Sequence, residues 1–203
     1  RKFALGMAAA MVLTAMGTGT YRQAGYWRNS ISLFEHTLKV TSGNYVAHNN
    51  LGIALMEQNK FDEAVNNLHR AVQIKPDFAE THNNLGNAYN KLGRYQDAIE
   101  SYKQAIKIKP DLAEVHYNLG VAYGSLGRYQ EAIESYKQAI RIKPDDAEAH
   151  CNLGVTYGSL GRWQDAIESF KQAINIKPDY AEAHNNLGFA YLLTGDKGSA
   201  LEE

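Results

Sequence analysis

Cysteine is nearly absent: Cys151 stands alone among 203 residues. That excludes an intramolecular disulfide and any cysteine-based zinc cluster, and it says little about compartment. An excess of charge of one sign is missing too. With 21 basic side chains against 22 acidic ones and a pI near 6.7, no global field favours nucleic acid or an acidic surface. No stretch alternates with period two, so strands are not indicated. There is no Gly-rich phosphate loop, nucleophile elbow or metal-ligand motif, so no catalytic residue, cofactor or metal is assigned within the chain. Hydrophobic residues make up 44% of the chain, enough for a packed fold. Both ends, Arg1 and the closing "SALEE", read as cut from something longer. Proline is scarce, and its four copies, Pro76, Pro110, Pro144 and Pro178, fall 34 residues apart.

That period organises the chain. "NNLGNAYNKLGRYQDAIESYKQAIKIKP" (83–110) returns as "YNLGVAYGSLGRYQEAIESYKQAIRIKP" and again as "CNLGVTYGSLGRWQDAIESFKQAINIKP". Leu-Gly pairs at 51–52, 85–86, 119–120, 153–154 and 187–188 keep the same step. Within a unit, Leu85, Ala88, Tyr89 and Leu92 form one helical stripe, and Ala98, Ile99, Tyr102, Ala105 and Ile106 a second. Asp77, Asp111, Asp145 and Asp179 each precede a Glu by three residues (Glu80, Glu114, Glu148, Glu182), which predicts a capping box at the first helix. Gly93, Gly127, Gly161 and Gly195, with Asn59 in the first unit, predict left-handed residues where that helix stops. Asp97 and Glu100 open the second helix and Lys103, Lys107 and Lys109 crowd its end, complementing the dipole. Each unit is predicted to be a helical hairpin.

The Leu-Gly pair, the following Tyr, and the Gly, Ala, aromatic, Ala and Pro resemble the tetratricopeptide signature, with His in place of the usual first aromatic. The resemblance implies an all-α, right-handed superhelical solenoid of hairpins with a concave groove. Four full units cover 45–78, 79–112, 113–146 and 147–180, and a fifth, cut unit covers 181–203. Phasing back by 68 residues sets Gly25 on Gly93, Trp27 on Tyr95, Ile31 on Ile99, Phe34 on Tyr102, Leu38 on Ile106 and Tyr21 on Tyr89. Residues 25–44 therefore read as a degenerate half repeat.

Residues 3–21 carry no charge, and 1–24 read as a hydrophobic helix preceding the solenoid, of a length that just spans a membrane. A signal peptide and a buried soluble helix are the rival readings. The repeat register resumes at Tyr21 without room for a cleavage site, which favours the span. The passage into "YWRNSISLFEHTLKVT" resembles the junction in polytopic membrane proteins of the O-mannosyltransferase type, through Trp27, Ser30, Leu33, Phe34 and Thr41. That resemblance implies a membrane location, a repeat region outside the cytoplasm, and glycosyltransferase chemistry upstream of Arg1.

Two ladders run through the repeats. His48, His82, His116, His150 and His184 give one imidazole per hairpin with no Cys or i+4 His beside it, so packing is expected and metal is not. Asn50, Asn84, Asn118, Asn152 and Asn186 precede every Leu-Gly pair. Packing alone does not require a mediocre helix former five times. A similar ladder in O-GlcNAc transferases grips peptide backbone in the groove, and an amide supplies donor and acceptor without a desolvated charge. The competing reading is that these amides bond neighbouring helices.

Beside the ladder the units vary: Asn49, Asn83, Tyr117, Cys151 and Asn185 precede it, while Ile53, Asn87, Val121, Val155 and Phe189 follow the Leu-Gly pair. One turn later come Met56, Asn90, Gly124, Gly158 and Leu192. A binding face and chance drift explain this variation equally. Glu80, Glu114, Glu148 and Glu182 stand where a chaperone-tail clamp would need basic residues, so acidic C-terminal peptides are not expected partners. The chain is expected to be a non-enzymatic scaffold that binds an extended protein or peptide segment. The alternative is the substrate-recruiting tail of a membrane or O-GlcNAc-type glycosyltransferase.

Overall fold

The computed structural model describes residues 29–195. The uncharged run 3–21, Trp27 and the second helix expected after Gly195 lie outside the described residues. Among those described there are ten helices and no strand: α1 (Ser30–Val40), α2 (Tyr45–Glu57), α3 (Phe61–Ile74), α4 (Ala79–Lys91), α5 (Tyr95–Ile108), α6 (Ala113–Ser125), α7 (Tyr129–Ile142), α8 (Ala147–Ser159), α9 (Trp163–Ile176) and α10 (Ala181–Thr194). None of them is long and apolar enough to cross a membrane. The chain forms two compact units, one ending at Pro76 and one starting at Asp77.

In the first unit, α2 and α3 form a hairpin, and α1 packs on α2. Asn29 caps α1, its side chain accepting from the Ser32 amide at 2.9 Å. The helix thus starts three residues later than the phase of Trp27 on Tyr95 implies. It ends at Val40, the register equivalent of Ile108. In the second unit α4–α5, α6–α7 and α8–α9 are hairpins, each second helix packs on the next first helix, and α10 closes the described array. This is the all-helical solenoid that the periodicity predicts.

The turn inside each hairpin is a complete Schellman motif. At its centre Gly93, Gly127 and Gly161 have φ of 71°, and Asn59 occupies the same place at 59°. Arg94 N–H donates to Tyr89 O at 2.9 Å and Gly93 N–H to Asn90 O at 3.0 Å, and the other units repeat both bonds. The contact that usually closes this motif is made here by a cation. Arg94, Arg128 and Arg162 lie 4.4, 4.6 and 4.5 Å from the rings of Tyr89, Tyr123 and Tyr157. Each arginine also pairs with the acidic residue three positions on, Asp97, Glu131 or Asp165. One side chain thereby links the end of the first helix to the start of the second.

The capping box is corrected by the structure. The residues at the start of the first helices are Phe78, Leu112, Asp146 and Tyr180, one position later than the predicted aspartates. Asp179 instead sits inside a turn closed by Tyr180 N–H to Lys177 O at 3.1 Å, which the preceding Pro178 favours. Of these four only Asp146 caps through its side chain, accepting from the Ala149 amide at 3.2 Å.

Close approach within each hairpin depends on the glycine of the Leu-Gly pair. A Cβ on Gly86 would lie 2.4 Å from Tyr102 Cε1, and one on Gly154 would lie 2.6 Å from Phe170 Cε1. Tyr102, Ala98, Ile99 and Ala105 are fully buried behind it. Burying a side chain of this size contributes about 1.5–3 kcal/mol, repeated once per unit.

Candidate functional site: the asparagine face

The histidine ladder is structural where its partners are defined. His116, His150 and His184 bond through Nε2 to the carbonyls of Pro110, Pro144 and Pro178 at 2.8, 3.1 and 2.9 Å. Each ring ties a first helix to the turn that precedes it. In the first unit His48 Nδ1 meets Asn67 Oδ1 at 3.1 Å. No cluster of metal-ligating side chains occurs among the described residues.

The asparagine ladder lies on the face formed by neighbouring first helices, α4, α6, α8 and α10, which touch one another in sequence. Its amides point sideways before they point outwards. Asn118 Nδ2 donates to Asn83 Oδ1 at 3.3 Å and Asn87 Oδ1 at 3.1 Å, and Asn152 Nδ2 donates to the Tyr117 hydroxyl at 2.9 Å. Asn186 Nδ2 reaches Cys151 Sγ at 3.9 Å. The two sets singled out in the sequence are therefore partners within the second unit: Asn118, Asn152 and Asn186 each donate to the variable residue of the preceding repeat. Inter-helix bonding is real here, and it uses the nitrogen. The carbonyl oxygens of Asn118, Asn152 and Asn186 accept no bond from the described residues, and all three asparagines are half-buried on this face.

The variable residues are distributed unevenly. Asn83 and Cys151 are buried between helices, Tyr117 is half-buried, and Asn185 is exposed. Asn83 Nδ2 donates onward to Glu114 Oε1 at 3.1 Å, and Asn87 Oδ1 accepts from the fully buried Tyr102 hydroxyl at 2.8 Å. Asn84 is half-buried on α4. Asn90 Oδ1 is buried and accepts nothing from the chain. In the first unit, Asn49 is buried and donates to Asn50 Oδ1 at 3.3 Å. Asn50 borders a pocket of about 160 Å³ with Phe34 and Ile53.

Two further pockets open on the second unit, each with a ladder amide in its wall. One of about 310 Å³ is polar, lined by Glu114, Tyr117, Asn118, Lys143, Asp146 and Glu148. Burial raises the Tyr117 phenol above its ordinary range, and the Glu148 and Asp146 carboxylates add to the rise. Burial raises the Cys151 thiol as well, followed by the charge of Glu182. The other pocket, of about 270 Å³, is apolar: Val155, Gly158, Trp163, Phe170 and Phe189 surround it beside Asn186. Trp163 and Phe189 meet edge-on, with ring centroids 6.3 Å apart.

Reading the sequence did not mark Trp163 and Phe170 as pocket walls. The available signal was a coincidence: Trp replaces Tyr95 and Tyr129, and Phe replaces Tyr102 and Tyr136, in the unit that carries Gly158.

A TPR repeat model matches residues 52–93, 86–127, 123–161 and 157–195. The chain belongs to the TPR repeat family. Among solved structures, a crystal structure of MamA is 32% identical, with 75% of this chain and 89% of that one covered and a TM-score of 0.72. MamA 41-end from Desulfovibrio magneticus RS-1 is 22% identical over 80% of this chain and 91% of that one, TM-score 0.74. YrrB, described as a TPR protein with an unusual peptide-binding site, is 21% identical over 83% and 87%, TM-score 0.71. No curated protein matches the sequence. As a TPR protein the chain is a protein-interaction scaffold and not an enzyme.

Proposed function

We propose that the partner lies as an extended segment along the α4–α6–α8–α10 face and that the ladder amides hold its backbone. The observation that carries this is the row of unused carbonyl oxygens on Asn118, Asn152 and Asn186, repeated from hairpin to hairpin. The Asn118 and Asn152 nitrogens are fixed by the preceding repeat, so their oxygens are held to accept backbone N–H groups at little further ordering cost, while Asn186 is held only by a weak contact to sulfur. The peptide-binding site attributed to YrrB supports the same use of this fold. The test is an array of extended peptides probed with the full chain and with its Asn152→Ala, Asn186→Ala form. Two lost hydrogen bonds of about 0.5–1.5 kcal/mol each correspond to roughly 5- to 150-fold weaker binding. Unchanged binding by a folded double variant would reject the reading.

The uncharged run 3–21 supports a membrane tether, and the extracytoplasmic placement of the repeats follows only from the junction's resemblance to O-mannosyltransferase-type proteins. It also fits the reading of this chain as the recruiting tail of a larger glycosyltransferase. Partition of the whole chain into membranes, with residues 26–203 left in the aqueous phase, is the expected outcome. A whole chain that stays aqueous without detergent contradicts it.

A further inference from the structure

The apolar pocket between α8, α9 and α10 shares Val155 and Gly158 with the preceding unit, which has Val121 and Gly124, and is set apart by Trp163, Phe170 and Phe189. At the equivalent places the unit at 79–112 has Asn87, Asn90 and Tyr102, a polar set. Here Val155, Gly158 and Phe170 take those places. Phe170 has no hydroxyl to satisfy, and Gly158 lets the Trp163 ring close over α8, since a Cβ there would stand 3.0 Å from Trp163 Cζ3. Phe189 is 57% exposed and Val155 41% exposed, a large loss of favourable burial at a repeat position that carries the polar Asn87 in the unit at 79–112.

The rest of the face tells what the occupant must carry. Moving from the pocket toward α6, the exposed carboxylates are Glu148 and Glu114, with Asp146 and the half-buried amides of Asn152 and Asn118 beside them. The only cation in the polar pocket, Lys143, is already paired with Asp146 at 3.2 Å. Acceptors therefore dominate, and a complementary ligand must be rich in donors and positively charged. We infer, building on the groove reading above, that the occupant is a segment of a partner protein that seats one bulky apolar side chain in the Trp163–Phe189 pocket and directs lysine or arginine toward Glu148 and Glu114. The apolar side chain anchors the segment, and the carboxylates set its charge preference and its direction along the face.

The test uses the full chain and labelled peptides containing one tryptophan flanked on one side by lysines, made in both sequence directions. Companion peptides replace the lysines with glutamates or the tryptophan with alanine. The expected result is saturable binding of one lysine–tryptophan peptide that weakens with salt, and roughly tenfold or greater weakening for either companion. Phe189→Ala should remove the preference for tryptophan. Glu148→Lys should reverse the preference between lysine and glutamate, and where that variant loses helicity the salt dependence of the wild type carries the same information. If lysine and glutamate peptides bind alike and Asn152→Ala, Asn186→Ala weakens both, the groove reading survives and the inference is overturned. If binding ignores the ladder variant altogether, the groove reading falls. Self-association abolished by Phe189→Ala would assign the pocket to a second copy of the chain and overturn the inference.

Discussion

The two ends of one face, α4–α6 and α8–α10, share a backbone plan and differ in what fills it. At the α4–α6 end Asn118 donates twice, to Asn83 and Asn87, and Asn87 accepts from Tyr102, so the amides form a network. At the α8–α10 end Asn186 has only a sulfur at 3.9 Å, and the surroundings are Val155, Trp163, Phe170 and Phe189. The lesson is that a repeat can keep its hairpin geometry while exchanging a hydrogen-bonded polar surface for an open apolar one. The glycine of the Leu-Gly pair is kept in every unit, while the residues just before the ladder and three after it differ.

The largest effect should come where the ends are alike. Gly86→Ala and Gly154→Ala drive a methyl into Tyr102 and Phe170 respectively, and each should cost about 1–3 kcal/mol in urea unfolding. A neutral result at either end would break the claim of a common plan. Next, Asn118→Ala should destabilise by about 1–2 kcal/mol, because two hydrogen bonds are lost and the Asn83 and Asn87 acceptors are left behind. Asn186→Ala should stay within about 0.5 kcal/mol of wild type, the weak sulfur contact being offset by the better helix propensity of alanine. Equal melting shifts for the two would erase the distinction between the ends.

A smaller contrast separates the two glycines six residues after the ladder. Nothing lies within 4 Å of a Cβ at Gly124, so Gly124→Ala should stabilise α6 by about 1 kcal/mol. Gly158→Ala should gain less, since the Trp163 ring must shift. Alkaline titration gives the smallest difference. Burial raises the Tyr136 phenol well above its ordinary value of 10.0, so the neutral form is favoured in the folded state. That contribution is complete below the unfolded pKa near 10 and is lost as pH rises through the folded one. Tyr136→Phe, which imitates Phe170, should leave stability at pH 7 nearly unchanged and move alkaline unfolding upward, as read by circular dichroism.

Much of this was legible in the sequence. Gly93, Gly127, Gly161 and Asn59 announced left-handed turns because few residues tolerate positive φ, and the 34-residue period announced stacked hairpins. The caps were misplaced by one residue because proline followed by aspartate also encodes a turn, and local pattern does not say which structure takes the aspartate. At the site, the ladder was visible as five asparagines, but the division of labour between nitrogen and oxygen was not. It depends on residue 83 lying beside residue 118, a contact across a whole repeat. The Trp163 pocket was hidden for the same reason: its walls come from three helices.

Side-chain amide resonances of Asn118, Asn152 and Asn186, followed by NMR as the lysine–tryptophan peptide is added, test the central claim most directly. The account predicts saturable shifts at Asn152, Asn186 and the Trp163 indole, smaller ones at Asn118, and none at Gln130 or Gln138 of α7. Shifts confined to Gln130 and Gln138, with the asparagines unmoved, would contradict it.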